Sequence, residues 1–420
     1  MAPKILLSEG SSLSAREIVT VLGRAGRAVE LCAPLRRCFC SYSQWVRRVH
    51  VLPATSSDPA AYLEGVRAIC REGRVEVLLP SHEQAYLFAA CRVRDPSWPG
   101  AATAVPIAPF SAFRRIQTKS ALADTLAAAG LPHPPTRVVR SDGELAFAIA
   151  GLLEDGRECV VKMDAGTGSA HQLCVRSRAE ADALAARGFG GGWPAIVQAR
   201  VGGPLERTQA VFSGGRLLAA HGYRQLQPGL SGGDVVKESV LRPAVIAHLG
   251  ALGAHLRWHG GLSLDYILEG GDPNRPVYLD ANPRLVEPVN AYLGGVDLPG
   301  RLLDVALGRD SGALAVGRAG IRTRLGIPGL MECAVATASR AAIAREAWRQ
   351  RLRRGSYAGT EEELNPGRWD AAAAVPYIGL LAMLLWNPRQ ARDINRMVVD
   401  SFALGPRGYA HAGALAGTGG

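Results

Sequence analysis

Two short runs constrain this chain more than any others: Gly261 to Leu268, GLSLDYIL, and Pro276 to Asn282, PVYLDAN. Each reads as a strand, and the Gly, Asp, Asn and Pro residues between them read as a turn, so the two form an antiparallel hairpin. A turn centred between Asp272 and Pro273 pairs Leu268 with Val277 and sets Asp265 directly opposite Asp280. Alternation puts Asn282 on the face of Asp280, with Arg284 following past Pro283. That face is not ordinary core, because unpaired carboxylates and amides are expensive to bury. Opposed carboxylates persist only with a shared proton or a cation between them. Asp265, Asp280 and Asn282 are hard oxygen ligands, and Mg²⁺ typically takes one or two carboxylates together with water and phosphate oxygens.

The sequence around this hairpin changes texture twice. Residues 3 to 110 alternate apolar strands (KILLSE, AVELCAP, VEVLLPS) with helices, one opened by the capping box Ser14-Ala-Arg-Glu17 and another near Tyr62 to Glu72. This is the pattern of a parallel sheet covered on both faces, a Rossmann-like lobe. Its first turn, Ser8 to Ser14, holds a single glycine where a dinucleotide site needs G-x-G-x-x-G, so NAD is not expected. From Lys119 the pattern becomes helix, extended LPHPPTRVV, helix, the strand CVVKM and the loop DAGTGSA. IVQARV and the hairpin LERTQAVF/RLLAAHGY, closed by Ser213-Gly-Gly, lead into a long loop, RQLQPGLSGGDVVKESV. Beyond about residue 310 the chain is Ala/Arg-rich and helical, with Ala341 to Arg354 a basic helix packed on the body and the terminal GALAGTGG disordered.

Composition excludes several classes of function. A chain of 420 residues, 48% hydrophobic and 20% charged, is globular. MAPKILLSEG lacks a secretory apolar region, and the longest uncharged apolar run, Ala371 to Trp386, is shorter than the roughly 20 residues that cross a bilayer. A cytoplasmic protein with no membrane partner is expected. The 8 cysteines show no second pair at zinc-ligand spacing and read as reduced thiols. The net charge of +11 follows an Ala-, Gly- and Arg-rich background rather than a basic patch, so no nucleic-acid partner is expected.

Further signals sit upstream of the hairpin. Lys119 opens a helix, Lys162 ends an apolar strand, and the loop Asp164 to Ala170 has glycines that let backbone amides approach phosphate. In order and combination these segments resemble the ATP-grasp superfamily over roughly residues 3 to 310. The likeness runs through IQTKSALADTLAAAGLPHPP, VVKMDAGTGSA, AIVQARVGG, GGLSLDYIL with VYLDANPR, and YLGGVDLP. Within the superfamily the chain looks closest to the carboxylate-amine ligases and the carbamoyl-phosphate-synthetase-like group.

The resemblance implies an α/β and α+β fold: a Rossmann-like pre-ATP-grasp domain over 1–110, then a two-lobed ATP-grasp domain over 111–310. Its nucleotide-binding lobe would span 111–200 and its metal and catalytic lobe 201–310, with a helical C-terminal extension and disordered tail over 311–420. Lys119 and Lys162 would hold the α and β phosphates beside Gly166, Gly168 and Ser169 of the loop. Gln198, Ala199 and Val201 would form the hinge against adenine, and Glu206 would bind the ribose hydroxyls. Asp265, Asp280 and Asn282 match magnesium ligands, and Arg284 matches the arginine that steadies the acyl phosphate or tetrahedral intermediate. Arg224 to Ser239, with Arg224 and Lys237, resembles a lid, and its glycines 229, 232 and 233 suit closure. Glu287 acts either as a general base or amine contact, or as the acid that opens the following helix. The sequence departs from the family in using Asp at both metal acids where Glu is commoner, in Ala199, which adds no side-chain contact, and in Glu206, displaced by about one position.

The implied activity is ATP-dependent joining of a small-molecule carboxylate to an amine through an acyl phosphate. Two Mg²⁺ ions would assist, Mn²⁺ could substitute, and a homodimer is left open. A bicarbonate-using carboxylase or carbamoyl-phosphate-type enzyme is one alternative, and a nucleotide-binding subunit without turnover is the other.

Overall fold

The computed structural model of the chain describes residues 3–165, 172–189, 194–309, 312–365 and 369–417. The first sheet holds β1 (Ile5–Leu7), β2 (Val29–Ala33), β3 (Val46–Val51) and β4 (Val77–Leu79), all parallel in the order β3-β2-β1-β4. Ile5, Leu6 and Leu7 are buried, as the unbroken apolar runs predict for a sheet covered on both faces. The capping box is displaced. Ser12, not Ser14, caps helix Leu13–Arg24 and accepts from the Ala15 amide at 3.0 Å, while Glu9 takes the Ser11 and Ser12 amides. Glu17 is thereby released from capping and carried inward to the Val289 amide, 2.8 Å away.

The second sheet holds β5 (Thr136–Val139), β6 (Cys159–Met163), β7 (Leu173–Val175) and β8 (Ala195–Ala199) in the order β5-β8-β6-β7, antiparallel throughout. The expected phosphate-loop residues Gly166, Gly168 and Ser169 lie outside the described residues.

The third sheet contains β9 (Leu205–Ser213), β10 (Arg216–Pro228), β11 (Asp234–Val240), β12 (Gly260–Leu268), β13 (Pro276–Asn282), β14 (Ala315–Val316), β15 (Arg322–Arg324) and β16 (Glu361–Glu362). Its order is β13-β12-β9-β10-β11-β15-β16, with β14 alongside β10. Gly214 and Gly215, at φ of 55° and 98°, make the tight β9–β10 turn that the Ser-Gly-Gly signal predicts.

Three expectations change here. The segment Arg224 to Ser239, expected as a long loop, is instead the far end of β10 paired with β11 from Gly222↔Val240 to Pro228↔Asp234, and only its tip at 229–233 is free of strand. Its three glycines and Ser231 sit at that tip, while the Arg, Gln, Lys and Glu of the two strands are cross-strand neighbours whose composition resembles a loop in sequence. The region 311–420 is not purely helical, since β14, β15 and β16 complete the central sheet. Gly413 to Ala416, expected to be disordered, ends helix Gly405–Ala416, which lies on helix Gln84–Arg94 and accepts Arg94 Nη2 at the Ala414 carbonyl, 2.7 Å away.

The acidic hairpin forms with one refinement. Leu268 pairs with Pro276 rather than Val277, and a bulge between Tyr278 and Asp280 restores the predicted register, so Asp265 does face Asp280 and Ser263 faces Asn282.

Candidate active site

Asp265 and Asp280 stand on adjacent strands at the edge of the third sheet, opposite the end of the second. Burial pushes the Asp265 carboxyl above its ordinary range; Arg207 opposes that shift and the neighbouring Asp280 adds to it. Arg207, on β9 directly beside Asp265, was not singled out by sequence. Its Nε lies 3.3 Å from Asp265 Oδ2, its Nη1 is 2.6 and 2.7 Å from the two Asp234 carboxylate oxygens, and its Nη2 donates to the Gly232 carbonyl. Asp234 is also new to the site, its carboxyl raised to about 6 by burial against the pull of Arg207.

Lys119 and Lys162 arrive from the other side. Asp164, just past β6, accepts from the Ser120 amide and hydroxyl at 2.8 Å each, and its carbonyl takes the Lys119 amide at 3.0 Å. This ties the start of helix Lys119–Ala128 to the strand carrying Lys162. Lys119 Nζ comes to 4.0 Å from Asp280 Oδ2. Burial lowers the Lys162 ammonium, Asp280 and Asp265 raise it, and Lys119 lowers it further, so the four groups share one field. Lys162 Nζ donates to Gln198 Oε1 at 3.1 Å, and Gln198 Nε2 to Thr136 Oγ1 at 3.0 Å. At the hinge, the Ala199 amide is taken by the Pro135 carbonyl, the Arg200 amide by Glu158, and Val201 follows just beyond β8.

Glu206 does not open toward a ribose. It is buried, bridged to Arg242 at 2.6 and 2.9 Å, and accepts the Tyr266 hydroxyl at 2.9 Å. The displacement noted in the sequence has a structural use: alternation on β9 turns Glu206 away from Arg207 and the acids. Arg224 is likewise spent on Glu238 across β10–β11, with Nε at 2.9 Å.

Arg284 is buried just past β13. Its Nη2 is 3.3 Å from Asn282 Oδ1, and its Nη1 reaches across to Ser14 of the first lobe at 3.1 Å. Burial lowers this guanidinium, and Glu83, Glu9, Glu287 and Asp265 oppose the shift.

Behind Arg284 lies a buried charge cluster. Lys237 is fully buried on β11 and pairs with Glu287 and, at 2.7 Å, with Glu363 beside β16. Oxygens of Glu17, Glu287 and Glu363 lie within 4.8 Å of one another. Burial and Glu363 push the Glu17 carboxyl well up. Burial would lower Lys237, but Glu287, Glu363 and Glu17 outweigh it and raise the ammonium well above its ordinary value. Glu287 therefore does more than open helix Pro288–Leu293, whose N-terminus its side chain does not cap. Glu17 and Glu363 were missed, the first read as a cap and the second as part of a helical extension.

No family sequence model matches the chain, and no curated protein matches it by sequence. Solved structures do. Carboxyaminoimidazole ribonucleotide synthase from Aspergillus clavatus, complexed with ATP, superposes at a TM-score of 0.61 with 14% identity, over 80% of this chain and 87% of that one. The biotin carboxylase domain of Hydrogenobacter thermophilus 2-oxoglutarate carboxylase, with MgADP and bicarbonate, gives 0.59 and 14% over 77% and 74%. L-amino acid ligase from Bacillus licheniformis gives 0.56 and 18% over 73% and 75%. The chain has the ATP-grasp fold. Lys119 and Lys162 come from the part of the chain that builds the second sheet and the two acids from the third sheet, so the four groups gather only where those parts meet.

Proposed function

We propose that this chain is an ATP-dependent ligase that activates a carboxylate as an acyl phosphate and passes it to an amine. The observation that carries the reading is the meeting of Lys119 and Lys162 with the opposed pair Asp265 and Asp280, flanked by Asn282. Two neighbours of the same fold, an L-amino acid ligase and a carboxyaminoimidazole ribonucleotide synthase, support it.

The donor set fits Mg²⁺: two carboxylates and an amide oxygen on adjacent strands, with Asp265 raised in part by Asp280, a repulsion that a divalent cation relieves. Asp265, Asp280 and Asn282 would hold it. Mg²⁺ held there would supply charge neutralisation for a bound triphosphate. Lys119 and Lys162 neutralise the remaining triphosphate charge from the opposite side. Arg284, held by Asn282 and Ser14, directs its guanidinium at the oxyanion that develops when the amine attacks. Glu287, ion-paired with Lys237, receives the proton that the attacking amine must lose.

The test is ADP and phosphate release from ATP with pools of carboxylic acids, amines and amino acids. Release that requires both an acid and an amine is the expected result. Release with bicarbonate alone transfers the reading to a carboxylase, the kind of enzyme to which the Hydrogenobacter thermophilus neighbour belongs. ATP binding without release under any pool makes the chain a nucleotide-binding subunit.

A further inference from the structure

Helix Ala374–Trp386, AVPYIGLLAMLLW, carries no charged residue on any side. A helix that is apolar all round belongs in an interior, because one at a surface normally turns a polar face to water. Only half of this one is covered. Leu384 is buried with Leu330 and Ile343, and Tyr377, Leu380, Leu381 and Leu385 pack against that core. The opposite face holds Val375, Ile378, Ala382, Met383 and Trp386, which helical spacing lines up along one side. All five are exposed, Ile378 by 61% and Trp386 by 81%. The exposed Trp348 of helix Arg340–Arg351 stands across a groove from Leu381 and Leu385 and widens the apolar surface. Single apolar residues on a surface need no explanation, but a continuous stripe of them calls for a partner.

Charge selects that partner. Arg340 Nη2 donates to the Trp386 carbonyl at 2.7 Å, which sets its guanidinium at the C-terminal end of the stripe. Arg389 and Arg392 follow closely in the chain, and Arg351 lines the groove with Leu381 and Leu385. All four are exposed and none meets an acid among the described residues, whereas Arg349 and Arg396 are held by Glu346 and Asp393. A second copy laid on the stripe would bring four more arginines and no spare carboxylate at these positions, on a chain whose net charge is already +11. An anionic lipid surface answers both halves of the face. Headgroup phosphates meet the arginines, and the apolar stripe enters the acyl boundary with Trp386 at headgroup level. We propose that this face docks the chain on an anionic bilayer, with helix Ala374–Trp386 lying in the membrane plane.

The helix has 13 residues, about 20 Å at 1.5 Å per residue, and no helix among the described residues is long and apolar enough to cross a membrane. The expectation of no membrane partner rests on that shortness, which bears on crossing and not on lying flat. The proposal does not rest on the ligase reading, and its test needs no turnover.

Flotation of the full-length chain with lipid vesicles measures it. The expected result is recovery with vesicles of phosphatidylcholine containing about one third phosphatidylglycerol. Recovery should be about tenfold weaker or more with phosphatidylcholine alone, and should fall as salt rises from about 0.1 M to about 0.5 M. Ile378→Glu puts a charge in the middle of the stripe and should weaken binding about tenfold or more with the melting temperature unchanged. Should that variant fail to fold, Arg389→Gln combined with Arg392→Gln decides, with the same expected loss. Phe147→Glu changes a residue 73% exposed on helix Asp142–Glu154, which packs on the second sheet, and should bind as the unaltered chain does. No recovery with anionic vesicles, equal recovery with both kinds, or an equal loss in Phe147→Glu would overturn the proposal. So would a dimer in analytical ultracentrifugation that Ile378→Glu dissociates, since a second copy would then cover the stripe.

Discussion

At Asp280 the carboxylate lies 4.0 Å from Lys119, acts on Lys162 as well, and faces a like charge, Asp265, across the strand pair. Asp280→Asn keeps the shape, removes the charge and relieves the repulsion, so its cost belongs to function and not to folding. Turnover should fall by at least about a hundredfold, on the order of 3 kcal/mol, while the melting temperature holds or rises. ADP release alongside a thermal melt measures both. Wild-type turnover would remove Asp280 from the site. Lys119 and Arg207 already stand beside the two acids, which is why the apoprotein can fold with Asp265 and Asp280 face to face.

Among elements, what could be read in the sequence tracks how local the pairing is. The Asp265–Asp280 relation lies within one hairpin whose turn residues name themselves, and it survives a one-residue error at Leu268 because the bulge after Tyr278 absorbs it. The Arg207–Asp265 contact joins residues 58 apart through the β9–β12 pairing, and no local pattern announces which strand will lie beside which. Lys237 was legible as a residue of interest but misplaced, because β11 read as loop. Its partners Glu17 and Glu363 come from opposite ends of the chain. The pKa directions make this element testable. Glu17 and Glu363 bind protons more tightly in the folded state, so their contribution to stability is fullest below the ordinary carboxylate range and is lost as pH rises through their raised folded values. The raised Lys237 offsets that loss, with a contribution that persists until pH climbs past the ordinary lysine range. Lys237→Met strands the acids. It should cost about 3–5 kcal/mol in urea denaturation near pH 8, and clearly less at a lower pH, because Glu17 and Glu363 take up protons before ordinary carboxylates do. A cost that is the same at both pH values would mean that the cluster is not electrostatically coupled.

For the whole molecule, the decisive question is whether residues beyond about 310 are an appendage, as the Ala/Arg-rich sequence suggests, or a structural part of the ATP-grasp body. β15 pairs with β11 at Val236, Lys237 and Glu238, β16 extends the same sheet, and Glu363 places a buried carboxylate on Lys237. Helix Gly405–Ala416 then crosses back to the first lobe, where Tyr409 packs on Tyr86 with ring centroids 5.5 Å apart. A chain ending at residue 309 loses all of these. Leaving Lys237 short of a buried partner and exposing the β11 edge removes several kcal/mol, a large share of the 5–15 kcal/mol that holds an ordinary domain together. Such a chain should lack a cooperative melt and aggregate in size-exclusion chromatography. A chain ending at residue 403 keeps the sheet and the Lys237 cluster and loses only the last helix, so it should melt cooperatively at a lower temperature. A 309-residue form that melts cooperatively and retains ATP binding would show that the ATP-grasp body is complete without its C-terminal quarter.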